Sequence, residues 1–348
     1  MTALANPMHL ERPLKVTISY THSCNQDCRI CYAGCTPTPG DRELSGEVWR
    51  RVIDDFIEAG VISIMFEGGE PLHRPDFLDV LRHCARRAMT KVRTNATLID
   101  AEMARELVEI GCGTLLVDLW GARAETHDWL TGTSGSFERT CRGIGAALAA
   151  GLPTTTLLIL NRRNIGEVNE YLDFVYRLGV RRVGILRPYP LGRMRERWSE
   201  LSLSLQEMMA AITSLSPPEG LTVMQSWHPN DGNCCWQMAA VNAYGDSIGC
   251  AYLREYVNFG NVVETPLEQT WEHPLYREIR SGRVEESCQS CSASQNSHGG
   301  CRSTAYAFHG RWSAPDPFDI GLNQGVDLRV LPPRTLSQDS GPANPSGA

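Results

Sequence analysis

The sequence predicts an α/β fold with six β/α units, followed by a smaller cysteine-rich α+β domain. Between residues 14 and 187, short β-rich runs alternate with helical patterns, which is typical of a parallel sheet whose strands are joined by helices. After Pro188 the alternation ends, and after about residue 217 cysteines become frequent. The 348-residue length fits two domains, since a domain averages roughly 150 residues.

Six segments carry the strand pattern, and a helical pattern fills most of the intervals between them. In the first helix, Ser45 can cap the start and Gly60 can end it, and five apolar residues share a face that we expect to pack on the sheet. Those residues are Val48, Val52, Ile53, Phe56 and Ile57. Six such units can form either an open doubly wound sheet or an incomplete barrel. The predicted strands are Lys15–Tyr20, Val61–Phe66, Lys91–Thr94, Thr114–Leu119, Thr154–Leu160 and Arg182–Leu186.

Composition shifts divide the chain into four parts. Residues 1–13 precede the first strand, and residues 14–216 hold the β/α units, ending after a predicted helix at Leu203–Ser214. The run SPPEG then leads into the cysteine-rich domain, residues 217–330. Residues 331–348 are rich in Pro, Ser and Gly without a core pattern, which predicts a disordered tail.

The charge balance and the N-terminal residues limit the partners and the compartment. With 33 Lys and Arg against 40 Asp and Glu, the formal charge is −7, which gives no global support for nucleic-acid binding. No apolar run is long enough to span a membrane, and the start lacks a secretory signal, so we predict a cytoplasmic protein. Because the cytosol keeps thiols reduced, metal ligation is the leading explanation for 13 cysteines.

The first cysteine group lies in the loop after the first predicted strand. Cys24, Cys28 and Cys31 are spaced CxxxCxxC. Zinc sites usually pair CxxC motifs with a second pair or with histidines, whereas iron–sulfur clusters accept closely spaced runs of cysteines. A cluster with three protein ligands leaves one iron open to chelate a small molecule, at the strand ends where α/β folds bind ligands.

This spacing after the first strand, together with the GGEP turn directly after the second, resembles the radical S-adenosylmethionine enzymes. The resemblance implies a partial (β/α)6 TIM-type barrel and a 4Fe–4S cluster that holds S-adenosylmethionine on its open iron. It also implies that the turn meets the amino group of S-adenosylmethionine through backbone and carboxylate. The turn consists of Gly68, Gly69, Glu70 and Pro71.

Further cofactor contacts follow from the same resemblance. Ile30 stands where the family usually has an aromatic residue, and we expect it to pack against the adenine. Asn95, in a turn similar to the family's TNGT, and Asp118, at the end of the fourth strand, are expected near S-adenosylmethionine. His127 can be a site residue or simply a loop or helix-cap residue. Cys35 is predicted to be a free thiol, since three cysteines suffice.

The second cysteine group resembles the SPASM and twitch domains, which bind auxiliary iron–sulfur clusters. Two of the expected cysteine positions hold His298 and Asp319, so one or two auxiliary clusters are compatible with the sequence. Cys234 competes with Cys235 for the first ligand position. The predicted ligands are Cys235, Cys250, Cys288, Cys291 and Cys301.

The resemblance implies a 5′-deoxyadenosyl radical that abstracts hydrogen from a substrate. Since only about 14 residues precede the first strand, leaving no fused leader-peptide-recognition domain, we expect a small polar natural-product intermediate that is dehydrogenated or decarboxylated. The models are a sugar, an aminocyclitol or a sugar nucleoside. Arg187 and Arg193 are candidate contacts for a sugar acid, although their run can also be a solvated connector.

Two other functions remain open at this stage. One is a maturase that cross-links, epimerises or oxidises a ribosomally made peptide, and the other is a non-enzymatic iron–sulfur scaffold. The resemblance also implies a flavodoxin- or ferredoxin-type reductant as a partner.

Overall fold

The computed structural model describes residues 10–225, 236–281, 284 and 299–335. Within them, eight strands form one sheet in which every pairing is parallel, in the order β7-β6-β5-β4-β3-β2-β1-β8. This is the partial barrel of the expected fold class. The strands are β1 Lys15–Thr21, β2 Ser63–Gly68, β3 Met89–Thr94, β4 Thr114–Asp118, β5 Thr154–Ile159, β6 Arg182–Leu186, β7 Thr222–Gln225 and β8 Met238–Val241.

Helices connect the parallel strands and continue into the C-terminal part. The predicted helix before residue 217 is present as α9, where Ser204 and Glu207 form a reciprocal capping box. The helices are α1 Gly46–Glu58, α2 Phe77–Ala85, α3 Ala101–Ile110, α4 Ala124–Thr131, α5 Ser136–Ala149, α6 Val168–Arg177, α7 Gly192–Glu196, α8 Trp198–Leu201, α9 Leu205–Thr213, α10 Leu267–Trp271, α11 Pro274–Arg280 and α12 Arg302–His309. No helix in these described segments has the length and apolar character needed to cross a bilayer.

Helix α1 forms for the reasons that its sequence suggests. The Ser45 side chain accepts a hydrogen bond from the Val48 backbone N–H, and the chain turns at Gly60 with φ +93°. Val52, Ile53 and Phe56 are buried as expected, and Trp49 joins them. Val48 and Ile57 are only partly buried and flank this stripe.

The sheet contains two strands that the sequence analysis did not predict. After residue 217 the chain adds β7 beside β6, with Arg182 opposite Thr222, and β8 beside β1, with Lys15 opposite Met238. Each is four residues long, too short for a reliable periodic pattern. The six predicted strands are all present. The division of the chain at residue 217 stays a prediction, as does the disorder of the tail, of which residues 336–348 lie outside the described part.

The core runs without interruption from the barrel into the C-terminal part. Buried residues of both belong to one continuous hydrophobic cluster. The Trp198 indole donates to the Leu328 carbonyl at 2.9 Å, and the Trp271 indole donates to the Leu10 carbonyl at 3.0 Å. Because these hydrogen bonds join distant parts of the chain inside the core, the C-terminal residues are held against the barrel.

Candidate active site

One cavity gathers most of the predicted cofactor residues at the carboxyl ends of the strands. Its empty space, which includes the part open to solvent, is about 620 Å³. Parallel α/β folds bind their ligands at this end of the sheet. The cavity is lined by Cys24, Gln26, Cys28, Ile30, Cys31, Tyr32, Cys35, Glu67, Gly68, Gly69, Arg93, Thr94, Asn95, Asp118, Trp120, Ile159 and Arg193.

The three cysteines of the CxxxCxxC motif are free thiols that face this cavity. Burial raises the pKa of Cys24 to about 12 and that of Cys28 well above its usual value. A hydrogen bond from the Cys35 thiol lowers the pKa of Cys31 to about 5. Cys31 therefore gives up its proton most readily.

The donor set fits an iron–sulfur cluster, because three soft thiols on one loop face a single cavity. Within the residues that the structure describes, no three His, Cys, Asp or Glu side chains already lie close enough to form a metal-binding group. The loop backbone is already held. The Cys24 N–H donates to the Thr36 carbonyl at 2.8 Å, and Arg193 donates to the carbonyls of Cys28 and Cys35, both at 2.8 Å.

Two glycines let the turn after β2 lie directly against the cysteine loop. A Cβ on Gly68, whose φ is +133°, would come 2.3 Å from the Thr21 carbonyl oxygen. A Cβ on Gly69 would come 1.9 Å from the Ser23 carbonyl oxygen. Because both clashes are with backbone, a side chain at either position would push the turn off the loop.

Glu70 uses its carboxylate within the protein. It accepts hydrogen bonds from the Asn95 N–H at 2.7 Å, the Thr94 hydroxyl at 2.8 Å and the Leu72 N–H at 3.1 Å. Burial raises the pKa of Glu70 to about 7. Glu70 and Pro71 are not among the residues that line the cavity. As placed, Glu70 ties β3 to the turn, and its contact with S-adenosylmethionine stays a prediction.

Asp118 and Ile30 line the cavity where contacts with the cofactor are predicted. Asp118 ends β4 and lies 3.0 Å from the Arg93 guanidinium, and burial raises its pKa to about 6 against the pull of that cation. Ile30 is buried in the cysteine loop. Neither side chain's role is tested by these positions, and both stay predictions.

Asn95 links its turn to the cysteine loop. Its side-chain amide donates to the Asn25 side-chain oxygen at 2.8 Å, and its backbone carbonyl accepts from the Thr140 hydroxyl at the same distance. Asn95 also faces the cavity. The turn after β3 is therefore fixed on both sides before any ligand binds.

His127 supports the backbone of Trp120, a residue of the cavity wall. It is fully buried, its Nδ1 accepts the Trp120 N–H at 3.0 Å, and burial lowers its pKa to about 4, so it is neutral. His127 is not among the cavity-lining residues, whereas Trp120 is. The structure thus gives His127 the role of a loop-fixing residue.

A buried polar group in the cavity wall was missed by the sequence analysis. The Tyr32 hydroxyl donates to the Glu67 carboxylate at 2.8 Å, and Arg93 lies 3.8 Å from the same carboxylate. Arg254, from the C-terminal part, also lies 3.8 Å from Glu67. The available signal was a charged residue inside each of two buried strands, Glu67 in β2 and Arg93 in β3.

The two arginines proposed as substrate contacts are occupied by protein partners. Arg187 pairs with Asp316 at 2.6 Å, and it is not among the residues that line the cavity. Arg193 does line it but pairs with Asp27 at 2.9 Å and holds the cysteine loop. The neighbouring Arg195 pairs with Glu255.

Only part of the second cysteine group can be placed. Cys250 is buried, and Cys301 is a free thiol that lies 3.8 Å from the Tyr189 hydroxyl. Asp319 is buried, and one of its carboxylate oxygens accepts the Gly321 N–H at 2.9 Å. The ligand set stays a prediction, since five of its candidates lie outside the described residues: Cys234, Cys235, Cys288, Cys291 and His298.

Comparisons with known proteins agree with this arrangement. The family model of the radical SAM superfamily matches residues 18–175, and that of SPASM, an iron–sulfur cluster-binding domain, matches residues 234–292. The AdoMet-dependent heme synthase of Methanosarcina barkeri is 26% identical over 88% of this chain and 96% of its own length. The PqqA peptide cyclase of Methylocella silvestris is 25% identical over 89% of this chain and 88% of its own length.

A solved structure shares the fold. SuiB of Streptococcus suis, crystallised with its precursor peptide SuiA, superposes with a TM-score of 0.73. The match covers 90% of this chain and 76% of SuiB, at 19% identity.

The expectation of a sugar, aminocyclitol or sugar-nucleoside substrate, with dehydrogenation or decarboxylation, is wrong. The PqqA peptide cyclase, an enzyme named for a peptide substrate, matches nearly the whole chain. The expectation rested on the few residues before β1, but a recognition segment can be a separate chain. The arginines meant for a sugar carboxylate are also paired internally.

The cofactors follow from the two matched domains. A radical SAM domain carries a 4Fe–4S cluster with S-adenosylmethionine, and a SPASM domain carries auxiliary iron–sulfur clusters. With the CxxxCxxC loop and the GGEP turn at the mouth of a parallel β/α barrel, this chain belongs to the radical SAM superfamily as an enzyme with a C-terminal SPASM domain.

Proposed function

We propose that this enzyme is a maturase that cross-links, epimerises or oxidises residues of a ribosomally made precursor peptide. The observation that carries the proposal is the match to the PqqA peptide cyclase over 89% of this chain and 88% of that protein. The match includes the barrel and the C-terminal part, so it is not limited to the cofactor-binding portion common to the superfamily.

In this proposal, the residues of the cavity bind the cofactors and keep water out. Cys24, Cys28 and Cys31 hold the cluster, and the glycine turn lies close enough to contact S-adenosylmethionine through its backbone. When bound, these groups supply a 5′-deoxyadenosyl radical that removes a hydrogen atom from the substrate. Ile30, Trp120 and Ile159 provide an apolar wall, which limits quenching by solvent.

The charged residues of the cavity support a substrate that has no free carboxylate to be bound. Arg93 and Arg193 are the cations of its described lining, and both are ion-paired, with Asp118 and Asp27. The backbone of an internal peptide segment carries no charge, so it needs no unpaired cation in the cavity.

A porphyrin is the second candidate substrate. It is favoured by one observation, the match to an AdoMet-dependent heme synthase over 88% of this chain and 96% of that protein. The experiment below therefore includes a porphyrin.

The test is an anaerobic assay of the reconstituted full-length enzyme with dithionite. Peptides encoded by small open reading frames beside the gene are compared with Fe-coproporphyrin, and the readouts are 5′-deoxyadenosine and the mass spectrum of the peptide. We expect nucleoside formation to rise with one peptide, whose mass or stereochemistry then changes, and the Cys28→Ala variant to be inactive. Stimulation by the porphyrin alone would contradict the proposal, and so would the failure of every peptide to stimulate nucleoside formation.

The proposal includes two further predictions. The physiological electron donor is a flavodoxin- or ferredoxin-type protein, and the enzyme works in the cytoplasm. Replacing dithionite with a flavodoxin and its reductase should sustain 5′-deoxyadenosine formation.

A further inference from the structure

Cys301 is held through its backbone by a nearby carboxylate and through its sulfur by a residue of the barrel. It is the residue directly before α12, and its N–H donates to the Asp316 carboxylate at 2.8 Å. Its Sγ lies 3.8 Å from the hydroxyl of Tyr189, which follows β6. The contact with Tyr189 joins residues that are 112 positions apart in the sequence.

Asp316 is a buried carboxylate that several donors hold in one place. It accepts hydrogen bonds from the Cys301 N–H, from the Thr304 hydroxyl at 2.7 Å and from the Phe318 N–H at 3.1 Å. Arg187 supplies the compensating charge at 2.6 Å. A buried carboxylate is costly without such a partner, so the ion pair fixes the backbone at Cys301 against the end of β6.

Arg187 also determines the direction of the Tyr189 hydroxyl. Its Nε donates to the Tyr189 oxygen at 3.3 Å, and a guanidinium can only donate. The hydroxyl hydrogen must therefore point to another acceptor, and among the described residues the Cys301 sulfur lies within reach of it. The Tyr189 ring is held by stacking on Tyr252, with centroids 3.7 Å apart and an interplanar angle of 5°.

We propose that Arg187, Asp316 and Tyr189 are positioning residues for Cys301 as an iron ligand of an auxiliary cluster, and that the Tyr189 hydroxyl donates a hydrogen bond to the ligating sulfur. A ligated thiolate has no proton, so Tyr189 is then the donor. Such a bond draws electron density from the sulfur and stabilises the reduced cluster, which raises its reduction potential. The proposal gives Arg187 a role in place of substrate binding, and it does not depend on the substrate.

The test uses the full-length chain with Cys24, Cys28 and Cys31 replaced by Ala, so that the remaining iron belongs to the auxiliary site. Iron per chain and the midpoint potential, from an EPR-monitored redox titration, are measured without substrate. Tyr189→Phe should keep its iron and shift the potential downward. The matched control is Tyr256→Phe, since the buried Tyr256 hydroxyl has no hydrogen-bond partner in the described structure. An unshifted potential in Tyr189→Phe would overturn the proposal.

The ligand assignment and the ion pair are tested in the same background. Cys301→Ala should lose auxiliary iron, and full retention would overturn the proposal. Arg187→Met should also lower the iron content, and Arg187→Lys should restore part of it, because a lysine keeps the charge next to Asp316. Equal iron in all three Arg187 forms would remove Arg187 from the proposal. All of these outcomes are independent of whether a peptide is the substrate.

Discussion

The two cysteine regions of this protein are held by different means. The loop with Cys24, Cys28 and Cys31 is fixed at its own backbone: the Cys24 N–H donates to the Thr36 carbonyl, and the carbonyls of Cys28 and Cys31 accept from Arg193. Cys301 is instead fixed by side chains, above all the Arg187–Asp316 pair, which joins residues 129 positions apart. A site built on a local motif can be predicted from sequence, whereas one built on a distant ion pair cannot.

The largest effect should come from breaking the first region at its ligands. Cys28→Ala should abolish 5′-deoxyadenosine formation, because a three-cysteine cluster cannot spare a ligand. Auxiliary iron should remain, since the second region does not depend on this loop. The check is iron per chain together with a nucleoside assay, and loss of all iron would mean that the two regions do not load independently.

Breaking the ion pair of the second region should lower the free energy of unfolding strongly. Asp316→Asn removes the charge opposite Arg187 and leaves that guanidinium buried and uncompensated, which should cost about 3–5 kcal/mol. Urea unfolding of the purified variant measures the change. As a control, Asp327→Asn removes an exposed partner of Arg329 and should leave the free energy of unfolding almost unchanged. Equal losses in the two variants would mean that the buried pair contributes no more than a surface one.

Gly69→Ala tests the close approach within the first region. The added Cβ would come 1.9 Å from the Ser23 carbonyl oxygen, and we expect a loss of about 3 kcal/mol and weaker S-adenosylmethionine binding. Gly145→Ala is the matched control, because a Cβ in that position of α5 meets nothing within 4 Å. That variant should gain up to about 1 kcal/mol through helix propensity. The measurements are urea unfolding and S-adenosylmethionine affinity.

His127 should make stability depend on pH. Burial lowers its pKa to about 4, below the ordinary value of 6.5, so the unfolded chain binds the proton first as the pH falls. The stabilisation is therefore complete above pH 6.5 and is lost progressively toward pH 4. Relative to His127→Asn, the wild type should lose about 2 kcal/mol between pH 7 and pH 5. If the difference in unfolding free energy between the wild type and His127→Asn were the same at pH 7 and pH 5, this prediction would be wrong.

The smallest effect is predicted for Cys35. It is a buried thiol in the same cavity as the three ligands, and we predict that it does not bind iron. Cys35→Ala should therefore leave iron per chain unchanged. An iron loss as large as that of Cys28→Ala would instead make Cys35 a ligand.

Several features of the site could be predicted because they depend on neighbours in sequence. The strands end where their apolar runs end, and parallel pairing then brings the CxxxCxxC loop, the glycine turn, Asn95 and Asp118 to one edge. The helices follow from caps and periodicity, as for α1 and α9. Each of these features needs only a few consecutive residues to be recognised.

Other features depend on which distant groups meet. Strands β7 and β8 are four residues each and exist because β6 and β1 offer unpaired edges. Glu67, Arg93 and Tyr32 form a buried group that no local pattern indicates. Arg187 looked like an accessible cation for substrate because nothing nearby in sequence neutralises it.

The sequence by itself determined which cofactors this protein uses, since the cluster ligands and the glycine turn are short motifs that can be recognised from adjacent residues. Only the tertiary structure decided what the charged side chains do. An ion pair such as Arg187–Asp316 forms because burial makes an unpaired charge costly, and burial is a property of the whole packed chain. The partner of a buried charge therefore has to be read from the fold.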